Sequence, residues 1–223
     1  RRSFVRTASL AATGLVWRPS PTQAAAPAPA TESSWVSSWF ASPQPSWDAA
    51  FVLPTGMPAQ VADQTLRETV KISLGGKRLR VLLSNRYGTQ PLVVGAARVA
   101  RARAGAAIDP ASDRALRFGG QPGVTIAPGA QAISDPVDLP VAALSELAIS
   151  TYFPQPTPVA TFHWGAQQTA ALAPGDATGA PDLAGAAALH GRAFLAGVWV
   201  ENAAGTPVVV AFGDSLTAVS YTH

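Results

Sequence analysis

Residues 66–83 read LRETVKISLGGKRLRVLL and carry the clearest secondary-structure pattern in the chain. From 66 to 74, apolar side chains occupy every second position except at Glu68, and polar side chains lie between them. The run 78–83 alternates in a similar way. A two-residue repeat is typical of a strand with one buried face. Because Gly75-Gly76 separates the two runs and glycine accepts positive φ, the pattern predicts a β-hairpin with a tight primed turn.

Six further segments have the short apolar or alternating runs of strands: 92–100, 123–127, 131–134, 146–153, 159–164 and 194–200. No segment between Trp35 and Trp164 keeps a helical 3.6-residue period over three turns. Many short strands with frequent turn signals predict a mainly β protein, with a β-sandwich or jelly-roll-like domain over 35–168. Residues 169–206 are predicted as a connecting segment with one strand, in which 169–189 form a long loop.

The composition excludes several classes of protein. The 223 residues contain no cysteine, which rules out disulfides and thiolate metal sites. The formal net charge is +3, but four of the 16 basic residues lie in the first 18 positions. From Pro19 onward, 12 basic and 13 acidic residues leave a net charge of −1. The body of the chain therefore lacks the charge of a nucleic-acid or membrane-surface protein.

The first 26 residues have the three parts of a signal peptide. Arg1-Arg2 and Arg6 form a basic head, a brief apolar stretch follows, and small residues occupy 22–26. Two adjacent arginines indicate a twin-arginine export signal, and the apolar stretch of about 11 residues is too short to span a bilayer. Residues 27–34 are interpreted as a linker. The sequence thus predicts export to the cell envelope, periplasm or medium; the alternative is a disordered basic N-terminus.

The strongest chemical signal lies near residue 215. Residues 207–212, PVVVAF, form an apolar run that ends at Gly213-Asp214-Ser215-Leu216. A run without alternation predicts a strand buried on both faces, as in a parallel α/β sheet, where functional groups follow the carboxyl ends of strands. Gly213 permits a tight exit, and Ser215 would then attack an ester carbonyl while nearby N–H groups hold the oxyanion.

A strand followed by Gly-Asp-Ser-Leu resembles the first conserved block of the SGNH/GDSL hydrolases. Other segments resemble the N-terminal half of an exported bacterial subgroup in which a β-rich accessory domain precedes the catalytic domain. These segments are 35–39, 64–68, 73–76, 80–88, 91–92, 118–120, 134–137 and 194–198.

The resemblance implies a serine esterase that uses no metal and no cofactor. Its catalytic domain would be a three-layer, flavodoxin-like α/β domain, with Ser215 as nucleophile and Gly213, Asp214 and Leu216 as supporting motif residues. Its substrates would be esters of acetylated carbohydrates, lipids or small acyl compounds. A later Gly, a later Asn and a late Asp-x-x-His complete the family's site, and the histidine acts as general base. Asp214 is not the acid of that triad; we expect it to shape the turn.

The chain departs from this pattern after the serine. Only eight residues follow Ser215, and none of His163, His190 and His223 stands in an Asp-x-x-His. We therefore expect 207–223 to be the start of a truncated catalytic domain, ended by a frameshift or a contig edge. Because a hydroxyl without a base is a weak nucleophile, we expect the fragment to be inactive.

Two other interpretations remain open on the sequence. The β domain alone would be a carbohydrate-binding module, with stacking surfaces supplied by Trp35, Trp39, Trp47, Trp164 and Trp199. Burial in a core is the more common fate of aromatic residues on alternating strands. Alternatively, the fragment does not fold stably, because the apolar run 207–212 lacks neighbouring strands.

Overall fold

The computed structural model describes residues 33–47, 56–211 and 213. This part of the chain is mainly β, with one 3₁₀ turn at Pro110–Ser112 and no α-helix. Its strands, in chain order, are β1 (Ser33–Phe40), β2 (Gln44–Pro45), β3 (Gln60–Val61), β4 (Gln64–Lys71), β5 (Gly76–Ser84), β6 (Leu92–Val94), β7 (Ala96–Arg101), β8 (Arg114–Ala115), β9 (Val124–Ile126), β10 (Gln131–Ile133), β11 (Val137–Val141), β12 (Glu146–Phe153), β13 (Thr157–Pro158), β14 (Thr161–His163), β15 (Ala170–Pro174), β16 (Ala187–Leu189), β17 (Arg192–Ala193) and β18 (Leu195–Ala203).

Two antiparallel sheets share one hydrophobic core, the arrangement of a β-sandwich. The first sheet has the order β1-β18-β5-β10, and β11 also pairs with β5. The second sheet has the order β16-β15-β4-β12-β7-β8. Alternate side chains of β5 and β18 meet those of β4 and β12 in a single buried cluster. The predicted mainly β class is therefore confirmed. The remaining strands form three small sheets: β13-β3, β17-β14-β2 and β6-β9.

The hairpin predicted over 66–83 is wrong, although both of its strands exist. β4 pairs with β12 and β15, whereas β5 pairs with β18, β10 and β11, so the connection crosses from one sheet to the other. Neither glycine has a positive φ. Both are needed because other backbone atoms approach them too closely to leave room for a side chain. A Cβ on Gly75 would lie 2.5 Å from Val141 O, and one on Gly76 would lie 2.6 Å from Glu201 O. Alternating strands that face one core from opposite sides have the same pattern as a hairpin.

The six other predicted strand segments all contain strands of the structure: β6 and β7, β9, β10, β12, β14 and β18. The sequence did not predict the longer strands β1, β11 and β15, nor the short strands β2, β3, β8, β13, β16 and β17. Ser33 and Ser34 belong to β1, although the linker was expected to extend to residue 34. The stretch 169–206, expected to connect domains with one strand, instead supplies β15 and β16 to the second sheet, β18 to the first and β17 to a small sheet. The signal peptide 1–26 lies outside the described residues.

Asn85 organises the turn that follows β5. Its Nδ2 donates hydrogen bonds to Gln90 O at 2.8 Å and to Ile126 O at 3.0 Å. Its backbone oxygen accepts from Gly88 N and Gly129 N. The side chain is buried, so these bonds satisfy polar groups that water does not reach. Asn85 and Gly88 therefore both stabilise the turn that follows β5.

Gly88→Ala is expected to destabilise the fold because the new Cβ would overlap the side-chain oxygen of Asn85. Displacing that amide costs about 2 kcal/mol of unfolding free energy, the usual scale of overpacking. Gly179→Ala is the matched control, since its nearest neighbour would lie 3.5 Å away, an ordinary contact. Urea unfolding followed by tryptophan fluorescence measures both variants. Equal midpoints for the two variants would contradict the role of Asn85.

Candidate functional site

Arg67 fastens two loops onto the outer face of the second sheet. Its side chain is buried, and Nε donates to Ser150 Oγ at 2.8 Å. Nη1 donates to Ala106 O at 2.7 Å. Nη2 donates to Ala180 O at 2.7 Å and to Thr178 O at 3.2 Å. One guanidinium thereby joins β4, β12 and two loops that are distant in sequence.

The loops cover small apolar clusters on this outer face. Burial lowers the pKa of Arg67, while the charges of Asp113 and Asp182 act in the opposite direction. The alternation of the sequence places Arg67 on the polar face of its strand, and that face is buried in the structure. Two small apolar clusters lie beneath the loops on this face. One contains Ala100, Ile108 and Ala148, and the other contains Ala171, Ala173 and Leu183.

Glu68, the exception in the alternating run, lies buried between the sheets. Its Oε1 accepts a hydrogen bond from Ala193 N at 3.1 Å. Burial raises the pKa of Glu68 to about 7, and the positive charge of Arg192 only partly opposes this. Arg192 is itself largely buried, with its guanidinium 4.8 Å from the centre of the Trp39 ring and Nη2 donating to Thr69 O. Burial lowers the pKa of Arg192.

The outer face of the first sheet carries a row of aromatic side chains. We call Trp35, Trp199 and Phe40 the aromatic row. In the β1–β18 ladder, Trp35 lies opposite Glu201, and Phe40 lies opposite Gly197. Trp199 stands on the same face of β18, two residues from each of these partners. The row therefore crosses back and forth between two adjacent strands on one face.

Two arginines of β5 flank this row. Arg80 lies opposite Trp199, and its guanidinium is 4.4 Å from the centre of the Trp35 ring. Arg78 lies 5.8 Å from the same ring centre and forms a bidentate pair with Glu201, at 2.6 and 2.7 Å. This pairing holds the pKa of Glu201 down at about 2 and raises the pKa of Arg78. Ser33 Oγ also donates to Glu201 Oε1 at 2.9 Å. This arrangement of rings and paired charges is suited to binding.

The five tryptophans that were candidates for stacking divide into two groups. Trp39, Trp47 and Trp164 pack against the core, and the Trp47 and Trp164 ring centres are 5.5 Å apart. Trp35 and Trp199 lie half-buried on the outer face. Sequence reasoning missed Phe40, which is 57% exposed. Its alternation with the tryptophans of β1 was hidden by a bulge between Ser37 and Trp39.

The strand predicted over 207–212 is wrong for the part of that run that the structure describes. Its described residues, 207–211, have no strand pairing, and Val209 and Val210 are 94% and 79% exposed. A strand buried on both faces needs partners at both edges, and no described strand pairs with this run. Gly213 is exposed. The predicted nucleophile Ser215 and its motif neighbours Asp214 and Leu216 lie outside the described residues.

The two described histidines belong to the sandwich. His163 Nδ1 lies 2.9 Å from Ser42 O, and His190 N donates to Gly56 O at 3.1 Å. Within residues 33–47, 56–211 and 213, no cluster of three metal-binding side chains is present. Across the same described part of the chain, no helix has the length and apolar character needed to cross a membrane.

No protein-family model matches the chain, and no curated protein matches it.

Proposed function

We propose that the chain is the N-terminal part of an exported serine ester hydrolase of the GDSL type, with Ser215 as the nucleophile. The observation that carries this proposal is the Gly213–Leu216 motif directly after the exposed apolar run 207–211, just beyond the last strand of the sandwich. In this reading, residues 33–203 form an accessory β domain. The run of valines, unpaired and exposed here, would become the first strand of a catalytic sheet and be buried once its neighbouring strands are present.

The placement of the family-like segments supports the proposal. The segments 64–68, 80–88 and 194–198 fall on β4, on β5 with its turn, and on β18. These strands lie in the interior of the two large sheets, and the segments include the buried groups Arg67, Glu68 and Asn85. Because buried polar groups constrain a fold more than surface residues do, a resemblance at these positions is informative about the accessory domain.

The chemistry follows from the serine. The Ser215 hydroxyl attacks the ester carbonyl, a general base takes its proton, and the alcohol leaves as the acyl-enzyme forms. Water then attacks the acyl-enzyme, which releases the acid and restores the serine. The substrate would be an ester of an acetylated carbohydrate, a lipid or a small acyl compound, and the chemistry uses no metal or cofactor. We also propose export by the twin-arginine signal at Arg1-Arg2.

We expect the 223-residue chain itself to hydrolyse p-nitrophenyl acetate no faster than its Ser215→Ala variant. The chain contains no Asp-x-x-His, so the serine lacks a base. Release of p-nitrophenol measures both proteins, with Ser220→Ala as the matched control for a serine change in the same segment. Turnover by the parent and by Ser220→Ala, but not by Ser215→Ala, would contradict the expected inactivity.

The enzyme class is tested by the DNA that follows the codon for His223. A reading frame there that encodes an Asn block and an Asp-x-x-His, and an extended chain that hydrolyses the ester, would support the proposal. Ser215→Ala in the extended chain should lower kcat at least about 1,000-fold, as loss of a triad member does. An extended chain that keeps full activity after this substitution would overturn the role of Ser215.

A further inference from the structure

We propose that the outer face of the first sheet, centred on the aromatic row, is a binding platform for a neutral polysaccharide. The proposal goes beyond ester hydrolysis and does not depend on Ser215. It is a property of the sandwich alone, and both strands that carry the row, β1 and β18, are described.

The two outer faces of the sandwich are built differently. On the second sheet, loops held by Arg67 cover the outer face with small apolar side chains. On the first sheet, the corresponding face carries Trp35, Trp199 and Phe40, of which none belongs to the core cluster. Three large rings grouped on a sheet face that is not packed into the core are a candidate interaction surface.

Phe40 is the most exposed ring of the row. Its ring lies over Gly197. A Cβ built on that glycine would be 3.2 Å from Phe40 Cδ2 and 3.6 Å from Leu82 Cβ. The glycine thus leaves room for the ring to rest against β18, while 57% of Phe40 stays open to solvent. A side chain at position 197 would occupy this space. The ring is therefore held against the sheet by contact with its neighbour strand.

The row is preorganised and has the length of a short oligosaccharide. From Trp35 to Phe40 it extends roughly 15 Å along β1, at the usual rise of a strand. The guanidinium of Arg80 rests on the Trp35 ring and restricts it. Rings that are ordered before binding lose little entropy when a ligand stacks on them. Sugar rings present C–H faces that pack on aromatic rings and hydroxyl edges that exchange hydrogen bonds.

The charges of this face are mixed in sign. Arg78 and Arg80 contribute two positive charges, and Glu201 and Asp138, opposite Arg78 on β11, contribute two negative charges. Lys77, the neighbour of Arg78 on β5, adds a positive charge that also acts on Glu201. A face of mixed sign with little net charge lacks the array of cations that a nucleic-acid site uses. Arg80 Nε is buried beneath this face and has no hydrogen-bond partner among the described residues, so it does not itself contact a ligand. The Glu201 carboxylate, which accepts from Arg78 and Ser33, borders the rings with a polar group that can also accept from sugar hydroxyls.

The size of the exposed rings favours a polysaccharide over a folded protein. Three aromatic side chains, two of them half-buried, expose on the order of 200–300 Å² together. A specific protein–protein interface buries about 800 Å² on each partner. The aromatic row alone supplies well under half of that area, whereas a glycan chain needs only a narrow strip.

The test is native affinity electrophoresis of the full chain in gels that contain hydroxyethylcellulose or arabinoxylan, with polygalacturonate as an anionic comparison. We expect retardation in at least one neutral gel and none that is specific to polygalacturonate. Phe40→Ala and Trp199→Ala should weaken the apparent association constant at least tenfold. Tyr87→Ala is the matched control, since Tyr87 is 41% exposed in the turn after β5 and lies outside the row. Unfolding midpoints verify that each variant folds.

Three results would overturn the proposal. One is the absence of retardation in both neutral gels, and another is retardation that survives Phe40→Ala and Trp199→Ala in folded protein. The third is concentration-dependent self-association that Phe40→Ala abolishes without any glycan binding, which would identify a protein interface. Ser215→Ala should leave retardation unchanged. Release of p-nitrophenol tests the ester-hydrolase proposal, whereas gel retardation tests polysaccharide binding. Either proposal can therefore fail without the other.

Discussion

Arg67→Met is expected to lower the free energy of unfolding by about 4 kcal/mol, the scale of leaving buried partners of a charged group without a donor. Methionine keeps much of the side-chain volume but donates no hydrogen bond. Ala106 O, Thr178 O and Ala180 O would then lose the guanidinium that they share. The two loops should separate from the outer face of the second sheet before the sandwich unfolds. Urea unfolding measures the loss, and amide hydrogen exchange in 102–109 and 176–186 locates it.

Arg117→Met is the matched control for this substitution. Arg117 is exposed and donates a single hydrogen bond, to Gly120 O at 3.0 Å. An exposed substitution of this kind changes stability by roughly 0.5 kcal/mol or less. If Arg67→Met and Arg117→Met unfold at similar urea concentrations, Arg67 does not hold the loops. Loss of stability without faster exchange in the loops would place the effect elsewhere in the second sheet.

Glu68→Gln is expected to remove a pH dependence of stability between about pH 4.5 and pH 7. Burial raises the pKa of Glu68 to about 7 in the folded protein, from 4.5 for a glutamate carboxyl group in water. The folded state therefore binds this proton more tightly than the unfolded chain, and the free energy of unfolding falls as the pH rises through that window. The difference in pKa corresponds to about 3 kcal/mol over the window, at 1.36 kcal/mol per unit. Glutamine resembles the neutral acid and does not titrate.

Urea unfolding at pH 4.5, 6 and 8 measures this effect for parent and variant. The stability of Glu68→Gln relative to the parent should increase by about 3 kcal/mol from the lowest to the highest pH. Titrations common to both proteins cancel in this difference. Glu146→Gln, which changes an exposed side chain on the neighbouring strand β12, is the matched control for the substitution. Parallel pH curves for the parent and Glu68→Gln would show that Glu68 is not buried as a titrating group.

The predictability of the strands depended on their residue types. β4, β5 and β12 alternate or are rich in β-branched residues, and the sequence predicted them. β15 reads AALAP and has little intrinsic preference for a strand, yet it pairs with β4 along four residues. Its neighbours in space impose the extended form, and such context does not appear in a local sequence pattern.

The candidate binding surface shows the same limit. Trp35 and Trp199 were candidates because of their residue type, but Trp39 had the same type and packs against the core. The bulge after Ser37 shifts the alternation of β1, so that Phe40 joins the outer face. A shift of one residue exchanges the two faces of a strand. The row of rings could therefore not be derived from spacing along the chain.

The sequence alone determined the β class, half of the strands and the position of the Gly-Asp-Ser-Leu motif, because these depend on patterns within a few neighbouring residues. The tertiary structure determined which strands pair, since the same alternation fits a hairpin and a crossing between sheets. It also placed Arg67 in a buried site on the polar face of its strand. The charged side chain is stable there only because loops from two distant parts of the chain bring carbonyl oxygens to it.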